Sequence, residues 1–131
     1  MADYDDVRRI ALSLPGAVES RNGDAFAVVN RGKEQGFAWV WLERIARKKG
    51  RVPNYGFIGV RVPTNEDKLA LVQIHPDKLF TEPHYNGYPA VLVRLGEVSE
   101  EELRALLVDG WRCRASKTLQ RQLDGTAAQR G

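Results

Sequence analysis

Three apolar runs separated by turn chemistry, at residues 25–29, 37–42 and 56–62, constrain this chain more than any other feature. Asn22-Gly23-Asp24 precedes the first, and Asn30-Arg31-Gly32-Lys33 divides the first from the second. Gly50, Pro53-Asn54 and Gly56 break a long basic loop before the third, and Pro63 closes it. Short apolar runs bounded by such residues read as strands. Strands that follow one another through turns pair with their neighbours, so an antiparallel meander is expected.

Around the meander the apolar period changes. In residues 3–14, Val7, Ile10, Ala11 and Leu14 share one helical stripe; Asp3 suits the N-cap, Asp5 and Asp6 suit the positive helix start, and Pro15-Gly16 stops the helix. Thr64-Asn65-Glu66-Asp67 supplies a cap and early acids. Leu69, Leu71, Val72 and Ile74 follow with imperfect helical spacing, and Pro76 ends a second expected helix. Residues 75–89 are irregular, with room for a brief strand at 78–81, and residues 90–95 form a further strand. Ser99 with Glu102 makes a capping box, and Leu103, Leu106, Leu107 and Trp111 stripe the helix it opens. Residues 115–123 continue that helix or begin another, and from Gly125 a frayed tail is expected. The expected architecture is α+β: an antiparallel sheet with helices packed on one face, in the order α-β-β-β-α-β-β-α. One domain spans residues 1–124, with a tail at 125–131.

At 131 residues, with 43% apolar and 28% charged residues, the chain can bury one core without disulfides or a structural metal. Cys113 is the single cysteine, which excludes an internal disulfide or a cysteine metal cage and suits a reducing compartment. The acidic start lacks the features of a signal peptide, and no apolar run approaches the roughly 18 residues needed to cross a bilayer. A cytoplasmic protein without membrane attachment is expected.

The net charge of +3 is unevenly placed. Arg44, Arg47, Lys48, Lys49 and Arg51 fall within eight residues without an acid among them, and Arg112, Arg114, Lys117, Arg121 and Arg130 face only Asp124 near the C-terminus. The first group could neutralise phosphates with salt-dependent, sequence-independent affinity, or simply form a solvated loop. Phe37, Trp39 and Trp41 alternate, so a regular strand would place all three on one face, as core, interface or a platform for a base or small molecule. His75 and His84 lie nine apart, which is no standard zinc spacing. Cys113 reads as a core thiol, and Ser13, Ser20 and Ser116 lack a nucleophile-elbow context. No catalytic residue, metal or cofactor is expected.

Several local phrases occur in a familiar order. Leu12-Ser13-Leu14-Pro15-Gly16 is followed by Glu19; Ala25-Phe26-Ala27-Val28 opens the meander; Gly36-Phe37-Ala38 follows Lys33; Phe80, Pro83 and Tyr85 come in sequence; the capped helix from Ser99 to Trp111 is followed by Ser116. Over roughly residues 3–123 the chain resembles the MmcQ/YjbR-like family. That resemblance implies a "double wing" DNA-binding fold, related in arrangement to frataxin-like and secretion-chaperone-like proteins. The loop at 43–55 is longer and more basic than the family pattern suggests. The expected role is non-enzymatic binding of nucleic acid, with DNA the candidate partner. Arg44, Arg47, Lys48, Lys49 and Arg51 would contact phosphates, Lys33 and Arg61 would assist, and no base-specific readout is expected. The alternative is an interaction or ligand-binding domain that uses Trp39 and Trp41, a homodimer being one form of it. A third reading rests an enzymatic site on His84 and Tyr85.

Overall fold

The computed structural model describes residues 2–21, 23–43, 52–82, 85 and 87–130. Helix α1 (Tyr4–Ser13) precedes strands β1 (Ala17–Glu19), β2 (Ala25–Asn30), β3 (Lys33–Glu43) and β4 (Val52–Arg61). Then come α2 (Asn65–Ile74), β5 (Leu79–Phe80), β6 (Ala90–Arg94), a 3-10 turn (Leu95–Glu97), α3 (Glu100–Arg114) and α4 (Lys117–Arg130). The six strands form one antiparallel sheet in the order β1-β2-β3-β4-β6-β5. The α+β class and the broad helix–strand order expected from the sequence are therefore the observed ones.

The capping residues act as their positions suggest. The Asp3 carboxylate accepts from the Asp6 N–H while the Asp6 side chain accepts from the Asp3 N–H, and Ser99 with Glu102 repeats the arrangement at the start of α3. Each box satisfies donors that a helix start would otherwise leave unpaired. Leu14 turns to an extended backbone immediately before Pro15, where proline excludes the helical region, and α1 ends there.

The core lies between one sheet face and the helices. Val7, Ile10 and Ala11 of α1 and Leu103, Leu107 and Trp111 of α3 are buried against Phe26, Ala38, Ile58, Val60, Val91 and Val93. Trp111 is fully buried, and its Nε1–H donates to the Pro15 carbonyl at 2.9 Å, tying α3 to the chain just after α1. Gly110 lets α3 approach closely: a Cβ there would stand 2.9 Å from Val60 Cγ1 and 3.1 Å from the carbonyl oxygens of Phe37 and Arg61. The last turn of α3, with Arg112 and Arg114, is thus held against β3 and β4.

Four details depart from the sequence reading. Strand β1, at Ala17–Glu19 where the sequence reading placed no strand, pairs with β2 through Ala17↔Val28 and Glu19↔Phe26. The register of β2 on β3 shifts, with Phe26 opposite Ala38 and Ala27 opposite Gly36, so Phe37 is an extra residue that joins the core. Phe37 therefore does not share a face with Trp39 and Trp41. Strand β4 begins at Val52, so Pro53-Asn54 and Gly56, expected to break a loop, lie within it; the chain does break at Ala115 into a separate helix, one of the two alternatives the sequence left open. Finally, Cys113 is half-buried, not a core thiol.

Candidate functional site

Hairpin β2–β3 turns through Arg31 and Gly32, both with positive φ (55° and 77°). Two left-handed residues between antiparallel strands make the tight turn that matches strand twist. Gly32 adopts this conformation freely, whereas for an arginine it costs about 1–2 kcal/mol. Strain of this kind, where Asn or Gly would serve better, points to a residue kept for its side chain. Arg31 is exposed and makes no hydrogen bond or ion pair among the described residues.

The chain folds this turn against the α3–α4 junction. Asn30, Arg31, Lys33, Gln35, Ser116, Lys117 and Thr118 line an open cleft of about 570 Å³, with three cations and no carboxylate. Arg114 adjoins it, donating from its guanidinium to Gln35 Oε1 at 3.1 Å and to the Gly36 carbonyl at 3.4 Å. Beyond Arg114 a groove of about 400 Å³ is lined by Arg61, Pro63, Asp109, Arg112 and Cys113. Burial pushes the Cys113 thiol pKa up; the charges of Arg61 and Arg114 oppose that shift, and the carboxylates of Asp109 and Asp67 add to it. Arg114 links the two hollows into one strip, since its neighbours Arg112 and Cys113 line the groove and its partner Gln35 lines the cleft; Asp109 lies in the groove among these cations.

Some cations elsewhere on the surface are paired, and others, Arg21, Arg104 and Arg121, are exposed without an ion pair among the described residues. Arg8 is paired with Glu19 at 2.8 Å, Arg9 with Asp6 at 3.0 Å and Glu100 at 2.6 Å, and Lys78 with Glu102 at 2.5 Å. Within the strip region Arg112 is neutralised by Asp124 at 2.7 Å. Arg31, Lys33, Arg61, Arg114 and Lys117 make no ion pair among the described residues. These five cations lie where the hairpin, the end of β4 and the α3–α4 junction meet, with the cleft free of carboxylates and Asp109 in the groove.

Trp39 and Trp41 lie on the sheet face away from the core, in two aromatic groups. Trp41, Phe57 and Phe80 meet edge to face at 5.4–5.7 Å, and the Arg94 guanidinium stands 4.1 Å over the Phe80 ring. Trp39 lies across Gly59, where a Cβ would overlap its indole, and its Nε1–H donates to the Tyr85 hydroxyl at 2.8 Å. Tyr85 and Tyr88 pack beside it at 6.4 and 6.2 Å, and Arg61 stands 5.5 Å over the Tyr88 ring. Lys68 holds this second group in place: only 3% exposed, it donates to the carbonyls of both Tyr85 and Tyr88. Burial lowers its pKa.

Of the sequence-derived candidates, Lys33 and Arg61 fall on the strip, and Trp39 and Trp41 fall on the aromatic face. Arg44, Arg47, Lys48, Lys49 and Arg51 lie outside the described residues, as does His84. Tyr85 is engaged with Trp39. Arg31, Tyr88 and Lys68 were not singled out by sequence reasoning. Arg31 could have been noticed as a non-glycine in a two-residue turn; nothing local marks the other two. No described helix is long and apolar enough to cross a membrane.

Comparison with known proteins adds a lineage. The profile of the YjbR family matches residues 12–113. The chain is 38% identical over 128 residues to the uncharacterized protein Rv2570 of Mycobacterium tuberculosis (strain ATCC 25618 / H37Rv). It is equally similar to the uncharacterized protein Mb2600 of Mycobacterium bovis; each match spans 91% of this chain and 93% of the relative. The crystal structure of Deinococcus radiodurans protein DR2400, with a DUF419 domain, superposes with a TM-score of 0.63 at 23% identity. That match covers 95% of this chain and 89% of the other, and it speaks to the fold alone.

Proposed function

The chain belongs to the YjbR family, and on that premise we propose that it is a non-enzymatic nucleic-acid-binding protein that grips the phosphate backbone. The observation that carries this reading is the strip of unpaired cations formed by Arg31, Lys33, Lys117, Arg114 and Arg61. An uncompensated cation beside a phosphate releases condensed counterions, and several in a row give affinity without sequence preference. Base-specific reading of a major groove is not part of the proposal.

A fluorescence-anisotropy titration of a labelled oligonucleotide at low salt tests the reading. The wild type is expected to bind, and Lys33→Glu with Lys117→Glu to lose most of that binding while keeping its melting temperature. Failure of the wild type to bind under these conditions would falsify the proposal.

A further inference from the structure

We propose that Tyr88, with Arg61 stacked on its ring, is a base-stacking site that makes single-stranded nucleic acid the preferred partner of the strip. This rests on the phosphate-binding reading above and adds the form of the partner. The strip does not end at Arg61: the arginine that shares a groove with Arg112 and Cys113 also stands 5.5 Å over the Tyr88 ring. A backbone following the cations is thus led to an aromatic ring.

The ring is presented as a platform. Tyr88 is 41% exposed, while its neighbours Trp39 and Tyr85 are more buried and pack against it at 6.2 and 6.3 Å. Arg61 makes no ion pair among the described residues, and its Nε is buried without a partner. Bases in a duplex are already stacked on each other and offer the ring nothing, whereas an unpaired base can stack on an aromatic ring or a guanidinium plane.

The platform is fixed before any partner arrives. Lys68 donates to the Tyr85 and Tyr88 carbonyls, and Asn65 Nδ2 donates to the Gly87 carbonyl at 3.0 Å. Helix α2 therefore orders the backbone on both sides of the ring, which lowers the entropy lost on binding. Lys68 acts as a positioning residue, since it reaches the partner only through Tyr88.

Anisotropy titrations with a ~15-nucleotide oligothymidine and a duplex of equal length test this, a length that spans the site sizes of single-strand binders. The wild type is expected to prefer the single strand. Tyr88→Ala should weaken single-strand binding by about 10-fold and leave duplex binding unchanged, while Tyr88→Phe should behave as wild type. Lys68→Met, which keeps the aliphatic stem, should reduce the single-strand preference in the same direction. Equal affinity for both forms, with no effect of Tyr88→Ala, overturns the stacking site and leaves the phosphate reading standing. Binding of neither form overturns both.

Discussion

Arg31→Asn should make the protein more stable and a weaker binder at once. The wild-type arginine holds φ at +55° in the hairpin turn, a region disfavoured for L residues by about 1–2 kcal/mol. Asparagine tolerates the conformation, and Asn-Gly is the preferred pair for this turn. Arg31 has no partner among the described residues, so the substitution removes no native contact. The expected gain is about 1 kcal/mol. With an unfolding entropy of roughly 2.1 cal/mol/K per residue over 131 residues, that corresponds to a rise of about 4 °C in Tm. Differential scanning fluorimetry or calorimetry reads the shift. In parallel, the plot of log K against log salt for a single-stranded oligonucleotide should flatten by about 0.7, one phosphate contact fewer. A variant that melts lower than wild type would refute the strain argument. A variant that melts higher yet binds with an unchanged salt slope would refute the role given to the side chain.

Gly59→Ala should destabilise the fold by about 2–3 kcal/mol in urea denaturation, because its Cβ would displace the Trp39 indole and break the bond to Tyr85. Placing it in a Trp39→Leu background should remove most of that penalty, and an undiminished penalty would show that the close contact is not the cause. Trp111→Phe should cost about 2–3 kcal/mol by the same assay, through lost volume in a fully buried site and the lost bond to the Pro15 carbonyl. The Lys78 ammonium, with the Ser99 N–H, lowers the Glu102 pKa from 4.5 to about 2. A carboxylate depressed in the folded state contributes stability above pH 4.5 that is lost as pH falls from 4.5 towards 2. Glu102→Gln should therefore show a shallower decline of Tm across that window, and a decline as steep as wild type would contradict the pairing.

What the sequence made legible was whatever is decided locally. Caps at Asp3 and Ser99, the stop at Pro15 and the turn before Lys33 depend on short stretches of chain, and each appears where its chemistry places it, whereas Pro53-Asn54 and Gly56 were drawn into β4 by pairing with β3. The misreadings have structural causes. Strand β1 is three residues long and half-buried, too short to carry a period. Phe37 seemed to belong with Trp39 because alternation assumes an unbroken ladder, and the register shift at β2–β3 inserts one residue. The apolar spacing of α2 looked imperfect because its buried residue is Lys68, while Leu69 and Ile74 are 65% and 67% exposed. The strip was least legible of all. Gln35 and Arg114, which join its two halves, are 79 positions apart in the chain, and only the sheet order and the seating of α3 bring them together. Counting charge along the sequence drew attention to residues 44–51, where cations are neighbours by number, and away from the hairpin, where they are neighbours in space.

The salt dependence of single-strand binding by wild type and by a Lys33→Ala, Lys117→Ala double variant is the most direct measure of whether the hairpin and the α3–α4 junction act as one anion-binding surface. Tight wild-type binding that weakens steeply with salt, and a slope lower by about 1.4 in the double variant, is the predicted result. Identical slopes for the two proteins would mean that these cations meet in the fold without meeting a phosphate.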